Sequence, residues 1–442
     1  MRTLPLACAL SWLAAAALSD APDMPARLAG HAVLPALVLV PPPTDAPRDA
    51  AVIGKFRGAG RHMEPGTLPG FGGLRPPFAG QPVQGLSGFA ATRAEDGSIL
   101  AISDNGFGRK ATSPDVLLAV HRILPRFGSG QVDVRETVFL SDPDFRVPFR
   151  IAHEGTEARY LTGADFDPES VQIVDGSIWF GDEFGPWLVR ADMAGRIEAV
   201  YPVMLDGAPL RSPDHPQVDA LSVKGRDWQV GRSKGFEGLA LQPDTGMLWA
   251  MLESPLPRPD DTPGSDVLAL AFDPVSGDWT GDRMTFQLGQ GAIAVGDFTF
   301  IDARLALVIE RDNGNGLASA ACDAGKSPPC HRSPARVKRV VLVDTAPPRD
   351  TGAMERVGVV NLMAISDPER LARRGVPGPN AAFAFPFVTV ESVMMWDDGD
   401  ILVANDNNLP SQDARDPATA TPTEIIRLDL GSALQDLIDA RR

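Results

Sequence analysis

Asp167-Pro168-Glu169-Ser170-Val171 runs into the turn Asp175-Gly176 and returns through Ser177 to Gly181-Asp182-Glu183. Two short apolar strands joined by Asp-Gly make a tight hairpin, because that pair accepts the positive φ angles of a type I′ turn. The stretch from Glu169 to Glu183 then carries the chain out and back, and both acids finish at one end. The same unit recurs. Gly235-Phe236-Glu237-Gly238-Leu239 leads through Asp244-Thr245-Gly246 to Leu252-Glu253-Ser254, and Val295-Gly296-Asp297-Phe298 leads to Ile309-Glu310-Arg311-Asp312-Asn313. Thr389-Val390-Glu391-Ser392-Val393 leads through Asp398-Gly399 to Ala404-Asn405-Asp406-Asn407. A fifth copy, Gln84-Gly85-Leu86-Ser87-Gly88, leads through Asp96-Gly97 to Ser103-Asp104-Asn105. The acid-to-acid interval is nearly constant: Glu237 to Glu253, Asp297 to Asp312 and Glu391 to Asp406 match Glu169 to Glu183 within two positions.

Five copies at spacings of about 60–95 residues predict radial repetition, and a β-propeller is the architecture whose repeats converge on a central channel. Such spacings exceed one four-stranded blade, so the length predicts six blades, or seven, some without the motif. Strand-like runs at Ile99–Ser103, Ser177–Gly181, Met247–Leu252, Leu305–Ile309 and Ile401–Ala404 fit this all-β reading, as do 43 Gly and 41 Pro in 442 residues. Short helices are predicted at 367–374 and within a C-terminal tail, 431–442. The propeller is placed at 51–430, after a Pro-rich and partly irregular segment at 20–50.

The N-terminus reads as a secretory signal: Arg2, an apolar Ala-rich run from Leu4 to Leu18, and small residues near a cut at Ser19/Asp20. An exported, periplasmic or extracellular protein follows. No other stretch is apolar and long enough to predict a membrane span. Cys322 and Cys330, eight positions apart in a Gly/Pro-rich loop, then predict a disulfide; a soft metal would need a second pair of Cys or His nearby.

Lys and Arg number 41 against 57 Asp and Glu, a formal net charge of −16. Loss of residues 1–19, which hold Arg2 and no acid, makes it −17. This balance excludes general binding to a phosphate backbone and so predicts no nucleic-acid partner. The turn residues Asp96, Asp175 and Asp398 have turn chemistry as sufficient reason. The strand-end acids do not. Carboxylates aimed into one channel repel unless cations lie among them or some take up protons. Oxygen ligands in numbers, with Asn amides and few His, predict calcium, or magnesium, rather than zinc. The predicted ligands are Asp104, Asn105, Glu169, Asp182, Glu183, Glu237, Asp297, Glu310, Asp312, Glu391, Asn405 and Asp406. Arg109, Lys110 and Arg311 lie beside them and predict neutralisation of an anionic ester, above all a phosphate; Lys234 and Lys338 are further substrate-binding candidates. Glu253 is a ligand or a base. No Gly-x-Ser-x-Gly elbow, P-loop or dinucleotide fingerprint is present.

These strings, together with Ser103-Asp104-Asn105-Gly106-Phe107-Gly108, Gly181-Asp182-Glu183-Phe184-Gly185-Pro186 and Phe387-Val388-Thr389-Val390-Glu391-Ser392-Val393, resemble the phytase-like domain proteins, described as having an esterase-like activity of phytase. The resemblance covers about residues 51–430. It implies an exported bacterial protein, a propeller-type fold and hydrolysis of phosphoesters or esters. The insert with Cys322 and Cys330 departs from the pattern. The expectation is a monomeric, calcium-dependent hydrolase of a small anionic ester. A lactonase or carboxylic esterase on the same scaffold, and a binding module whose metals only staple the blades, are the competing readings.

Overall fold

The computed structural model describes residues 21–441 apart from 55, 58–59, 62–71, 219–226, 259–261, 263, 323–328, 347–351, 379–380 and 398. The signal segment, the turn residue Asp398 and the loop between the two cysteines fall outside the described residues.

Among the described residues twenty strands make up three four-stranded antiparallel sheets and one eight-stranded sheet, in which two antiparallel sets of four meet at a single parallel bridge, Val33 to Gln131; each set of four is called a sheet below. In chain order the first sheet is Leu86–Arg93, Ile99–Ser103, Ala119–Arg126 and Gln131–Phe139. The second is Pro168–Val174, Ser177–Asp182, Trp187–Asp192 and Ile197–Pro202. The third is Phe236–Leu241, Leu248–Leu252, Asp266–Asp273 and Asp278–Gln287; the fourth is Ala294–Phe300, Leu305–Arg311, Lys338–Asp344 and Glu355–Asn361. The fifth takes Val390–Asp397, Asp400–Asn405 and Thr423–Asp429, and is completed by Arg27–Leu34, which pairs antiparallel with Thr423–Asp429. The first strand of each sheet packs on the first strand of the next, and Val390–Asp397 returns to Leu86–Arg93. The innermost strands thus close a ring, as the blades of a propeller do.

Five four-stranded sets close the ring among the described residues, where the length predicts six blades or seven. The surplus residues are spent on long connections, such as 140–167, 203–235 and 362–389. Part of the Pro-rich segment is regular: Arg27–Leu34 is a mostly buried strand, with Gly30, His31 and Ala32 buried in succession, and it pairs with Thr423–Asp429. Residues 367–374 form turns instead of a helix: the Asp367 carboxylate accepts from the backbone of Leu371 at 2.7 Å and Ala372 at 3.1 Å. Ser432–Asp439 is helical, and Cys322 is bonded to Cys330.

Large apolar side chains fill the gaps between neighbouring sheets, as where Trp179, Phe236, Phe272, Phe286 and Phe298 pack in one cluster. Each such burial contributes about 1.5–3 kcal/mol. Near the axis the strands lie too close for that. A Cβ on Gly88 would sit 2.7 Å from Ser170 Cα, and one on Gly238 would sit 2.7 Å from Phe298 Cβ. The glycines of the repeat are therefore demanded by the small radius of the ring.

Candidate active site

Each inner hairpin is tight at its outer end. Val174 pairs with Ser177 across Asp175 and Gly176, whose φ angles are 48° and 77°, the positive pair of a type I′ turn. At the other end all five hairpins carry a β-bulge in the same place. The register slips at Ser87, Glu169, Glu237, Gly296 and Glu391. A bulge re-aims its residue and locally ends the pairing, and in three blades that residue is Glu. The residues just before the bulges, Leu86, Pro168, Phe236, Val295 and Val390, pair with Ser103, Asp182, Leu252, Glu310 and Asn405. One step further along stand Asp104, Glu183, Glu253, Arg311 and Asp406. Four blades put an acid at this second position, and the fourth blade puts an arginine there.

The acids converge. Asp167, Glu169 and Glu183 offer one oxygen each within 4.8 Å of one another, and so do Glu183, Glu237 and Glu253. Arg311 Nη2 lies 2.7 Å from Glu253 Oε1, 3.3 Å from Glu391 Oε1 and 3.7 Å from Glu237 Oε1. Lys234 Nζ pairs with Glu253 Oε2. Asp104 accepts from Gly106 N at 2.8 Å and Gln84 Nε2 at 3.1 Å, and Asp406 accepts from Asn408 N at 2.8 Å. All are buried except Glu169, which is half-buried. Oε1 of Glu183 and Oε1 of Glu237 are buried without a hydrogen-bond partner.

Burial raises the carboxyls of Asp104, Asp167, Glu169, Glu183, Glu237, Glu391 and Asp406, since the charged form loses its water, and at most of them like charges nearby add to the effect. Asp104 is pushed up to about 6 and Glu391 to about 7, chiefly by burial. Asp167, Glu169, Glu183, Glu237 and Asp406 stand well above the usual carboxylate range through burial and then their acidic neighbours. Eight carboxyls thus face two cations, Arg311 and Lys234. The set fits divalent cations: its donors are oxygens without imidazole, and two of its buried oxygens accept no hydrogen bond.

Not every predicted residue joins this set. Glu310 lies one register step away and turns outward, bound by Arg356 at 2.8 Å and Arg339 at 3.1 Å. Burial alone would raise it, yet these arginines hold it below its ordinary value. Asp312 pairs with Lys338 Nζ at 3.0 Å and accepts from the backbone of Arg336 and Val337. Asp297 accepts from Phe298 N and Val393 N, both at 2.7 Å, and ties the fourth blade to the fifth. Asp182 accepts from Asp167 N and Gly185 N, both at 2.7 Å, so it shapes the loop that carries Asp167 and Glu183. Asn405 is spent on the backbone of Asp406, Pro422 and Glu424. Asn105 Oδ1 accepts from Gly108 N at 2.8 Å, while its backbone N–H donates to Asp167 at 3.1 Å.

Among the predicted cations, Lys338 is buried with its ammonium on Asp312 O at 2.7 Å, Val388 O at 3.2 Å and the Asp312 carboxylate; its donors are used up, and it is not placed to hold substrate. Arg109 is exposed, and no ion pair joins it to the acids of the ring among the described residues. Lys110 is half-buried over Phe149 and Phe184, and its charge works against the burial that raises the Asp182 carboxyl to about 7. Asp167 is a member absent from the ligands that the sequence predicts; its one signal there is an acid two positions ahead of the bulge.

The family model described as "Phytase-like: Esterase-like activity of phytase" matches residues 81–409. The chain belongs to this phytase-like family. The match includes all five inner hairpins of the phytase-like domain and leaves out the closing strands Arg27–Leu34 and Thr423–Asp429. No curated protein matches the chain. Among solved structures, the phytase-like chain is 11% identical to glutaminyl cyclase from Myxococcus xanthus, covering 78% of this chain and 91% of that one at a TM-score of 0.35. Arabinanase from Bacillus subtilis is 10% identical over 77% and 91%, also at 0.35. The aldose sugar dehydrogenase from Streptomyces coelicolor is 13% identical over 78% and 94%, at 0.33.

The raised carboxyls set a pH dependence. A group whose folded pKa exceeds its unfolded one contributes stability below the unfolded value and loses it as pH rises through the folded one. Glu391 and Asp182 near 7 and Asp297 near 8, all raised first by burial, lose theirs up to pH 8. His121, lowered by burial to about 3, and His215, lowered by burial to about 4, act oppositely and only below about 6.5. The raised carboxyls outnumber these two histidines, so the cation-free protein should melt progressively lower from about pH 5 toward pH 8, with calcium restoring the alkaline arm. Melting curves against pH with chelator and with calcium check this; a cation-free melting temperature that rises from pH 6 to 8 contradicts it.

Proposed function

We infer that the chain is an exported, calcium-dependent hydrolase of phosphoesters acting on a small anionic substrate at the channel mouth. The observation that carries this reading is the convergence of eight carboxyls from four blades around Arg311 and Lys234, with buried oxygens left unpartnered. The family description supports ester hydrolysis, and the Cys322–Cys330 bond supports export. Among the described residues no helix is long and apolar enough to cross a membrane. The domain limits proposed are a signal at 1–19, the propeller from about residue 27 to 430 and a helical tail; a monomer is the proposed state.

Asp167, Glu169, Glu183, Glu237 and Glu253 would hold the cation, which supplies polarisation of a phosphoryl oxygen and a more acidic water. Arg311 holds Glu253, Glu391 and Glu237 together, and its Nη1 donates to Asn313 at 3.0 Å. It is thus an internal counter-charge more than a phosphate ligand. Lys110, near Asp182, and the exposed Arg109 would be the cations that meet an anionic ester. Water attack at phosphorus and P–O cleavage need one group to take a proton and another to give one to the leaving oxygen. Asp104 near 6 and Glu391 near 7, both raised by burial, change protonation near neutral pH and suit those roles. A panel of phosphomonoesters, phosphodiesters and lactones, run in calcium on mature protein, tests the substrate class. Turnover of a phosphoester is expected. Turnover of lactones alone assigns the site to carboxylic esters, and turnover of none leaves the blade-stapling reading.

A further inference from the structure

Resting on the cation reading above, we propose that the carboxylate ring is a two-cation centre in which Glu183 is shared by both ions and Lys234 competes for the second. Two triads exist, Asp167/Glu169/Glu183 and Glu183/Glu237/Glu253, and Glu183 is the member common to both. Oxygens up to 4.8 Å apart can touch one ion with bonds of about 2.4 Å, the calcium–oxygen distance. A carboxylate has two oxygens, so one residue can face two ions. The second observation is independent of the clustering: Glu183 Oε1 and Glu237 Oε1 are buried and have no hydrogen-bond partner, one in the shared residue and one in the second triad.

The charges argue for two ions. Eight carboxyls against Arg311 and Lys234 leave a formal excess of six, and a single divalent ion removes only a third of it. The triads also differ. Ion pairs to Asp167 and Glu169 are absent among the described residues, whereas Glu253 of the second triad is already held by Lys234 and by Arg311 at 2.7 Å. Arg311 is buried and fixed among three acids. Lys234 has a half-exposed side chain on a flexible stem and can swing into water. The first triad therefore binds first and tightly, and the second binds more weakly because Lys234 must leave.

Calcium binding to the full mature chain, followed by isothermal titration calorimetry without any substrate, tests this separately from the hydrolase reading. Two sites of unequal affinity are expected. Glu169→Gln should lose the tighter site, Glu253→Gln the weaker, and Glu183→Gln should lose or weaken both. Lys234→Met should tighten the weaker site by roughly tenfold and leave the tighter one unchanged. One equivalent site, no binding, or a Lys234→Met protein with unaltered affinities overturns the proposal. Two sites with no phosphoester turnover would keep the two-cation centre and refute the hydrolase.

Discussion

Glu183→Gln lowers phosphoester turnover by about a thousandfold while it raises the stability of the cation-free protein. The two effects have one cause. Glu183 is buried, lies in both acidic triads, and has one oxygen without a partner. A group so placed costs the fold free energy, because its charged form has lost water and faces Asp167, Glu253 and Glu391. An amide of the same shape removes the charge and relieves that repulsion, worth about 1–3 kcal/mol. It also removes the ligand on which both triads depend. Kinetics with calcium and urea unfolding with chelator read the two halves separately. A variant that loses stability along with activity would mean that Glu183 is a structural residue.

Arg311→Met should do the opposite to stability. Arg311 replaces the acid of the fourth blade and sits among Glu253, Glu391 and Glu237, and those acids hold its guanidinium above its ordinary value despite burial. Removing one partner of a buried ion group leaves charge uncompensated, at a cost of about 3–5 kcal/mol. Chelated protein should show the full loss by urea unfolding. Saturating calcium should recover part of it, since an ion can occupy the space near Glu237 and Glu253. Arg311→Lys should recover less than the native residue, because an ammonium cannot reach three carboxylates in one plane. Equal stability of native and Arg311→Met protein in chelator would show that the acids are neutralised by protons alone.

The hairpin repeat was legible because its chemistry is local. Asp-Gly turns flanked by acids at near-constant spacing, as from Glu169 to Glu183 and from Glu391 to Asp406, place carboxylates at one end of a sheet whatever surrounds them. What was hidden depends on non-local geometry. The bulge at each hairpin's inner end moves the register by one, so the residue that enters the channel in the fourth blade is Arg311 and not its neighbour Glu310. Asp297, Asp182 and Asn405 are strand-end residues like the ligands, yet backbone N–H or C=O groups of adjoining loops and blades claim them. The closing strand, Arg27–Leu34, and its partner Thr423–Asp429 come from opposite ends of the chain, beyond the reach of any local sequence pattern.

The proposed hydrolysis depends on a divalent cation held by this carboxylate ring. Phosphoester turnover by mature protein, measured after exhaustive chelation and again after stepwise addition of calcium, tests it most directly. No turnover is expected without the ion, and recovery should follow its addition. Turnover that survives chelation undiminished would contradict it.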